Sequence, residues 1–116
     1  MARSRDEVWV SGHLGDAAMA HLQHRIVLMP YEAALCLLAL HMPTPQIEFG
    51  QRLRQVANSA IDISDGLLAD LGHILERSNV AAEIEFTSLP ASETLRKYLC
   101  RIMGSDPEVS PRIMLP

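Results

Sequence analysis

Aromatic side chains are scarce: one Trp, two Tyr and two Phe make up 4% of 116 residues. Aliphatic side chains must therefore supply any core, because there are too few large rings to do so. Cysteine is as sparse. Cys36 and Cys100 are too few for a disulfide framework and lack metal-ligand spacing, so both are expected as buried free thiols of a reducing compartment. No polybasic run occurs. Ten scattered Lys and Arg against 14 Asp and Glu leave a net charge of -4, which argues against nucleic acid, whose phosphates need clustered cations. No apolar run approaches the roughly 18 residues of a membrane span. The charged start Met1–Arg5 has no apolar follow-on and is no secretory signal. Cytoplasm is the expected compartment.

What is present is ordinary globular material, 48% hydrophobic and 21% charged, enough for one small domain or a piece of a larger one. Glu7–Val10 reads as a strand, followed by the turn Ser11–Asp16 and a helix running to about Arg25 with Asp16 as N-cap. The Ala- and Leu-rich stretch 33–40 lies in a second helix, Tyr31–His41, and reads as core. Pro43 and Pro45 then force an extended linker. A division follows: 1–42, a strand plus helices; 43–103, an α/β portion; 104–116, an irregular tail with three prolines. In the middle portion a helix is expected over 46–57, a strand over 59–63 and a helix from Leu67 with an apolar stripe of Leu67, Leu71, Ile74 and Leu75. A strand over Ala81–Phe86 and a Ser92-capped helix to about Met103 complete it. The order indicates an α/β or α+β class, with a right-handed crossover over 59–86 if those strands are parallel.

The segment 57–74 carries the most chemistry. If Ile61 and Ile63 face a core, period-2 alternation turns Asp62 and Ser64 to the other face, and Asp65 stands at the mouth of the next helix. Two carboxylates and a hydroxyl would then meet beside free backbone N–H groups. Hard oxygen ligands suit Mg²⁺, and a helix N-terminus suits phosphate. Simpler readings stand beside this one. Asp65 can be an ordinary N-cap, Asp70 an exposed or capping-region acid, and His73 a packing or surface residue. Gly12 and Gly15 can serve a tight turn or a close phosphate approach, and His21 with His24 a solvated face or a transition-metal pair.

Trp9-Val10-Ser11-Gly12-His13-Leu14-Gly15-Asp16-Ala17-Ala18, the proline-bounded linker, Ser59-Ala60-Ile61-Asp62-Ile63-Ser64-Asp65-Gly66-Leu67 and Asp70-Leu71-Gly72-His73-Ile74 occur in that order. With Ala82-Glu83-Ile84-Glu85 and Leu89-Pro90, they resemble thiamine-monophosphate kinase over roughly residues 6 to 98. Aminoimidazole ribonucleotide synthetase, selenophosphate synthetase and a hydrogenase maturation factor are weaker matches from the wider superfamily. The resemblance implies a piece of a two-domain, aminoimidazole ribonucleotide synthetase-like fold, with an incomplete sheet and packed helices. Residues 1–42 would end its ATP-binding domain and 43–103 would begin its second domain. It further implies ATP-dependent phosphorylation of thiamine monophosphate, with Mg²⁺ as metal. Carried over by position, Asp62 and Asp65 would bind magnesium, while Ser64 and His13 would contact ATP. No residue is assigned a catalytic role, since phosphoryl transfer rests on charge neutralisation and positioning.

The family's chains are about three times longer, so an internal fragment inactive by itself is expected, with self-association through exposed sheet edges. A non-catalytic remnant or binding fragment of the same fold is the alternative.

Overall fold

A computed structural model describes residues 1–23, 25–103 and 112–116. The described residues form the α-helices α1 (Asp16–His21), α2 (Pro30–His41), α3 (Ile47–Leu53), α4 (Leu67–Ser78) and α5 (Glu93–Met103). Strands β1 (Ala82–Glu85) and β2 (Arg112–Leu115) form a two-stranded antiparallel sheet, with Ala82 opposite Leu115 and Glu85 opposite Arg112. The class is α+β. Contacts divide the chain into two interleaved units. One comprises Met1–Trp9, Gln46–Ser88 and the described residues of Ser110–Pro116; the other comprises Val10–Pro45 and the described residues of Leu89–Val109. Among the described residues no helix is long and apolar enough to cross a membrane.

In the unit containing Val10–Pro45, α1 packs on α2 and α5. Its core is Met19, Ala20 and Cys36, flanked by Ile26, Leu28, Leu37, Leu95 and Tyr98. α2 begins where its composition says it should. Pro30 occupies the first turn, where its missing N–H costs nothing, and Glu32 accepts the Met29 N–H at 3.1 Å. The 33–40 stretch is core on one side only, since Leu35 and Leu38 are exposed while Cys36 is buried. Burial pushes the Cys36 thiol above its ordinary value, and the carboxylates of Asp16 and Glu32 add to the effect. Cys100, by contrast, is exposed, which corrects the expectation that both thiols are buried.

Asp16 does not cap α1. Gly15 holds that position in a left-handed conformation (φ 92), and the Asp16 carboxylate instead accepts the Ser92 hydroxyl. Ser92 Oγ accepts the Leu95 N–H at 3.1 Å, so the expected cap of α5 is in place. Gly15 also lies under α5: a Cβ there would sit 2.6 Å from Leu95 Cδ2.

The other unit departs further from the sequence expectation. Glu7–Val10 forms no strand. Among the described residues no strand pairs with it, Trp9 is 82% exposed, and the segment before it is folded back, with Arg5 left-handed (φ 76) and Arg3 N–H bonded to Asp6. Residues 59–63 are likewise outside any sheet, with Ile61 and Ile63 43% and 41% exposed, so no βαβ crossover spans 59–86. The helix expected over 46–57 is shorter, Ile47–Leu53, and buries none of its residues.

α4 and β1 follow their patterns. Leu71 and Leu75 are buried and Leu67 and Ile74 half-buried, the face predicted from their spacing. α4 ends at Asn79, left-handed (φ 52), with Val80 N–H reaching Leu75 O at 3.2 Å, the cap that Asn tolerates. In β1, Ile84 is buried while Glu83 and Glu85 are exposed. The partner strand β2 comes from the segment expected to be irregular. Prolines 107 and 111 precede it, and 112–115 is free of proline. Residues 104–111 lie outside the described residues.

Two glycines should answer an alanine substitution with opposite signs. Gly15→Ala places a Cβ at φ 92 against Leu95 and should destabilise by about 1–2 kcal/mol. Gly72→Ala, inside α4 with nothing within 4 Å of the new Cβ, should stabilise by about 0.5–1 kcal/mol. Urea midpoints of the two variants against the parent measure both.

Candidate functional site

Residues 57–66 form no helix or strand, yet both ends of this loop are tied down. At its start, the Asn58 side-chain amide donates to Asp6 Oδ1 and Oδ2 at 3.1 and 2.9 Å. Asp6 Oδ2 also takes the Arg3 N–H at 2.8 Å. These donors, Asn58 first, hold the Asp6 carboxyl below the usual carboxylate range.

At the loop's end stands Asp70, on the first turn of α4. It is 4% exposed, and its Oδ2 accepts the backbone N–H of Ser64 at 2.8 Å and of Asp65 at 3.1 Å. Of the two readings of Asp70, an exposed acid or one of the capping region, the first is therefore corrected and the second agrees with its place in the first turn. The expectation of free N–H groups beside the junction is also corrected, because two of them are already engaged. Asp65 is not the N-cap either. Gly66 is, with φ 114 and ψ 150 and no side-chain cap bond. That backbone region is essentially reserved for glycine.

Asp62, Ser64 and Asp65 share this loop and all three are exposed. Asp62 thus reaches solvent, although by the path of an unpaired loop and not by alternation along a buried strand. His13 belongs to the other unit, exposed after the left-handed Gly12 (φ 77). It directly precedes Leu14, whose N–H bonds Pro90 O at 2.8 Å and which forms a single parallel bridge to Ala91. His21 is exposed at the end of α1, and His24 lies outside the described residues. His73 is exposed. Among the described residues no group of three or more His, Cys, Asp or Glu side chains is arranged to hold a metal ion.

Asp70 is the residue that sequence reasoning missed. The signal was available: it lies three residues after Leu67 and one before Leu71, inside the apolar stripe of α4. An acid at a core-facing helical position needs buried donors, and the nearest are the amides of the preceding loop.

Comparison with known proteins bears on what this loop is for. No family model matches the chain. Thiamine-monophosphate kinase of Escherichia coli (strain K12) is 43% identical over 101 residues, 84% of this chain and 31% of the relative. The chain corresponds by sequence to a segment of thiamine-monophosphate kinase. The kinase of Haemophilus influenzae is 47% identical over 103 residues, and that of Aquifex aeolicus 39% over 109. The chain thus spans about a third of the length of these relatives.

The Asp6 pairing makes the loop's start sensitive to acid. A depressed folded pKa means the contribution is complete above the unfolded carboxylate value and is lost as pH falls through the folded one. The Asp6 carboxyl carbon, followed by NMR, should titrate below the usual carboxylate range. Asn58→Ala should move that midpoint upward, and an unchanged midpoint would exclude the pairing.

Proposed function

We propose that this chain is the part of a thiamine-monophosphate kinase, within an aminoimidazole ribonucleotide synthetase-like fold, that offers Asp62, Ser64 and Asp65 to magnesium and the phosphates of ATP. The observation that carries the reading is the joint exposure of these three side chains on one loop anchored by Asp6 and Asp70. The relatives that share this segment support it by their name, kinases of thiamine monophosphate. A cytoplasmic setting belongs to the same reading, as do ATP and thiamine monophosphate as ligands.

The donor set fits a hard cation. Mg²⁺ accepts one or two carboxylates and completes its shell with water and phosphate oxygens, so Asp62 and Asp65 suffice as the protein's share. When bound, the metal neutralises phosphate charge for transfer. The loop's residues contribute differently. Asp62 and Asp65 supply negative charge that an unscreened phosphate would meet with repulsion, and the Ser64 hydroxyl can donate to a phosphate oxygen. The amides of Ser64 and Asp65, already bonded to Asp70, do not cradle phosphate. His13 is proposed as a nucleotide contact on the strength of the resemblance alone. With two carboxylates and one hydroxyl on the loop, binding without turnover is the state proposed for the chain by itself.

Calorimetry with Mg²⁺ and ATP should show binding that Asp62→Asn and Asp65→Asn each weaken about 10-fold or more. Incubation with thiamine monophosphate should leave thiamine diphosphate at background. Absence of metal binding would sink the reading. Turnover that Asp62→Ala abolishes would replace it with an active enzyme.

Self-association follows from apolar surface such as Trp9, Val27, Ile47 and Val56, each at least 69% exposed. Sedimentation at micromolar concentration should show species larger than 12.8 kDa, and a monomer throughout would exclude it.

A further inference from the structure

We infer that Asp70 is a positioning residue for the candidate metal site: its buried carboxylate sets the loop from which Asp62, Ser64 and Asp65 reach solvent. The inference rests on the reading of that loop as a metal-phosphate site and adds a residue to it. Three observations carry it. Asp70 is 4% exposed, so its charge has left water and must be compensated by protein donors. Its Oδ2 takes both the Ser64 and the Asp65 N–H, which fixes two successive peptide planes from a single point on a rigid helix. The α4 N-cap, Gly66 (φ 114, ψ 150), has no side-chain cap bond and supplies only the sharp exit into the helix. The loop has no ladder to hold it, so its shape between Asn58 and Leu67 depends on these contacts.

A carboxylate here would act on the metal through the backbone it holds. It touches no ligand, yet it fixes the backbone that carries the ligating groups, and such partners change metal affinity about 10- to 100-fold when removed. The two roles of the acids on this segment are thereby separated. Asp62 and Asp65 face solvent and can meet a cation; Asp70 is turned inward and cannot.

The test uses the full chain with Mn²⁺ as probe, the free ion being followed by electron paramagnetic resonance. Asp70→Ala should weaken Mn²⁺ binding about 10-fold or more. Asp70→Asn, which keeps an oxygen acceptor, should recover much of that loss. Unchanged affinity in Asp70→Ala, whatever its melting temperature does, overturns the inference and leaves the metal-site reading standing. Failure of the unmutated chain to bind Mn²⁺ overturns that reading and the inference with it. Should Asp70→Ala not fold, amide exchange in the unmutated chain decides. Slow exchange at Ser64 and Asp65 supports the hold by Asp70, and exchange at unprotected rates overturns it.

Discussion

One carboxylate oxygen, Oδ2 of Asp70, holds two consecutive backbone amides, and the junction between the acidic loop and α4 is built around that contact. The dependence runs both ways. Left without donors, a carboxylate at 4% exposure would carry the desolvation cost of a buried charge, several kcal/mol by usual estimates. Without the carboxylate, the loop would keep Gly66 and the Asn58–Asp6 pairing but lose both bonds at Ser64 and Asp65. Hydrogen bonds to a charged group contribute about 1.5–3 kcal/mol each, so the pair of amides is of the size needed to offset the burial. A neutral acceptor at this position would bind the amides more weakly, while an apolar one would leave them unpaired.

The other unit solves a similar problem with different chemistry. There a helix start must meet a neighbouring helix closely, and Gly15 does this by lacking a Cβ where Leu95 comes down on it. Ser92 then serves two elements at once, capping α5 through its Oγ and donating its proton to Asp16 on α1. In both units a short polar side chain near a helix N-terminus ties a loop or a neighbouring helix to that end. Hydrophobic burial sets which faces turn inward, and these contacts set how the chain enters each helix.

What could be read in advance follows from the range of the interactions involved. The α4 stripe, the inward Ile84 and the Ser92 cap depend on spacings of two to four residues, so they are legible from the residues alone. The strands expected at 7–10 and 59–63 had strand-like apolar residues but required a partner, and pairing is a property of distant chain. Conversely β2 draws its existence from β1, some thirty residues away in sequence, and its own four residues carry no period worth reading. The candidate site lies between these cases. Asp62, Ser64 and Asp65 are identifiable as types at a suggestive junction, whereas the contact beneath them comes from Asp70, whose burial depends on folded backbone and not on its residue type.

That difference changes the chemical reading of the junction. Had Asp62 stood on a buried strand with free amides after it, the site would combine a metal ligand with a helix-end anion cradle. With the amides of Ser64 and Asp65 turned to Asp70, the proposed site keeps the metal ligands and loses the anion cradle. The loop then presents two exposed carboxylates and a hydroxyl, and a third acid behind it adds to the negative field. Under the proposed reading, an approaching polyphosphate would meet attraction only once a divalent ion had lowered that charge, so metal and nucleotide would act as one ligand. The same field accounts for the economy of the protein's share. A cation already carrying phosphate and water oxygens would need few protein ligands, provided those few were held still, and holding them still is the role inferred for the buried acceptor under the loop.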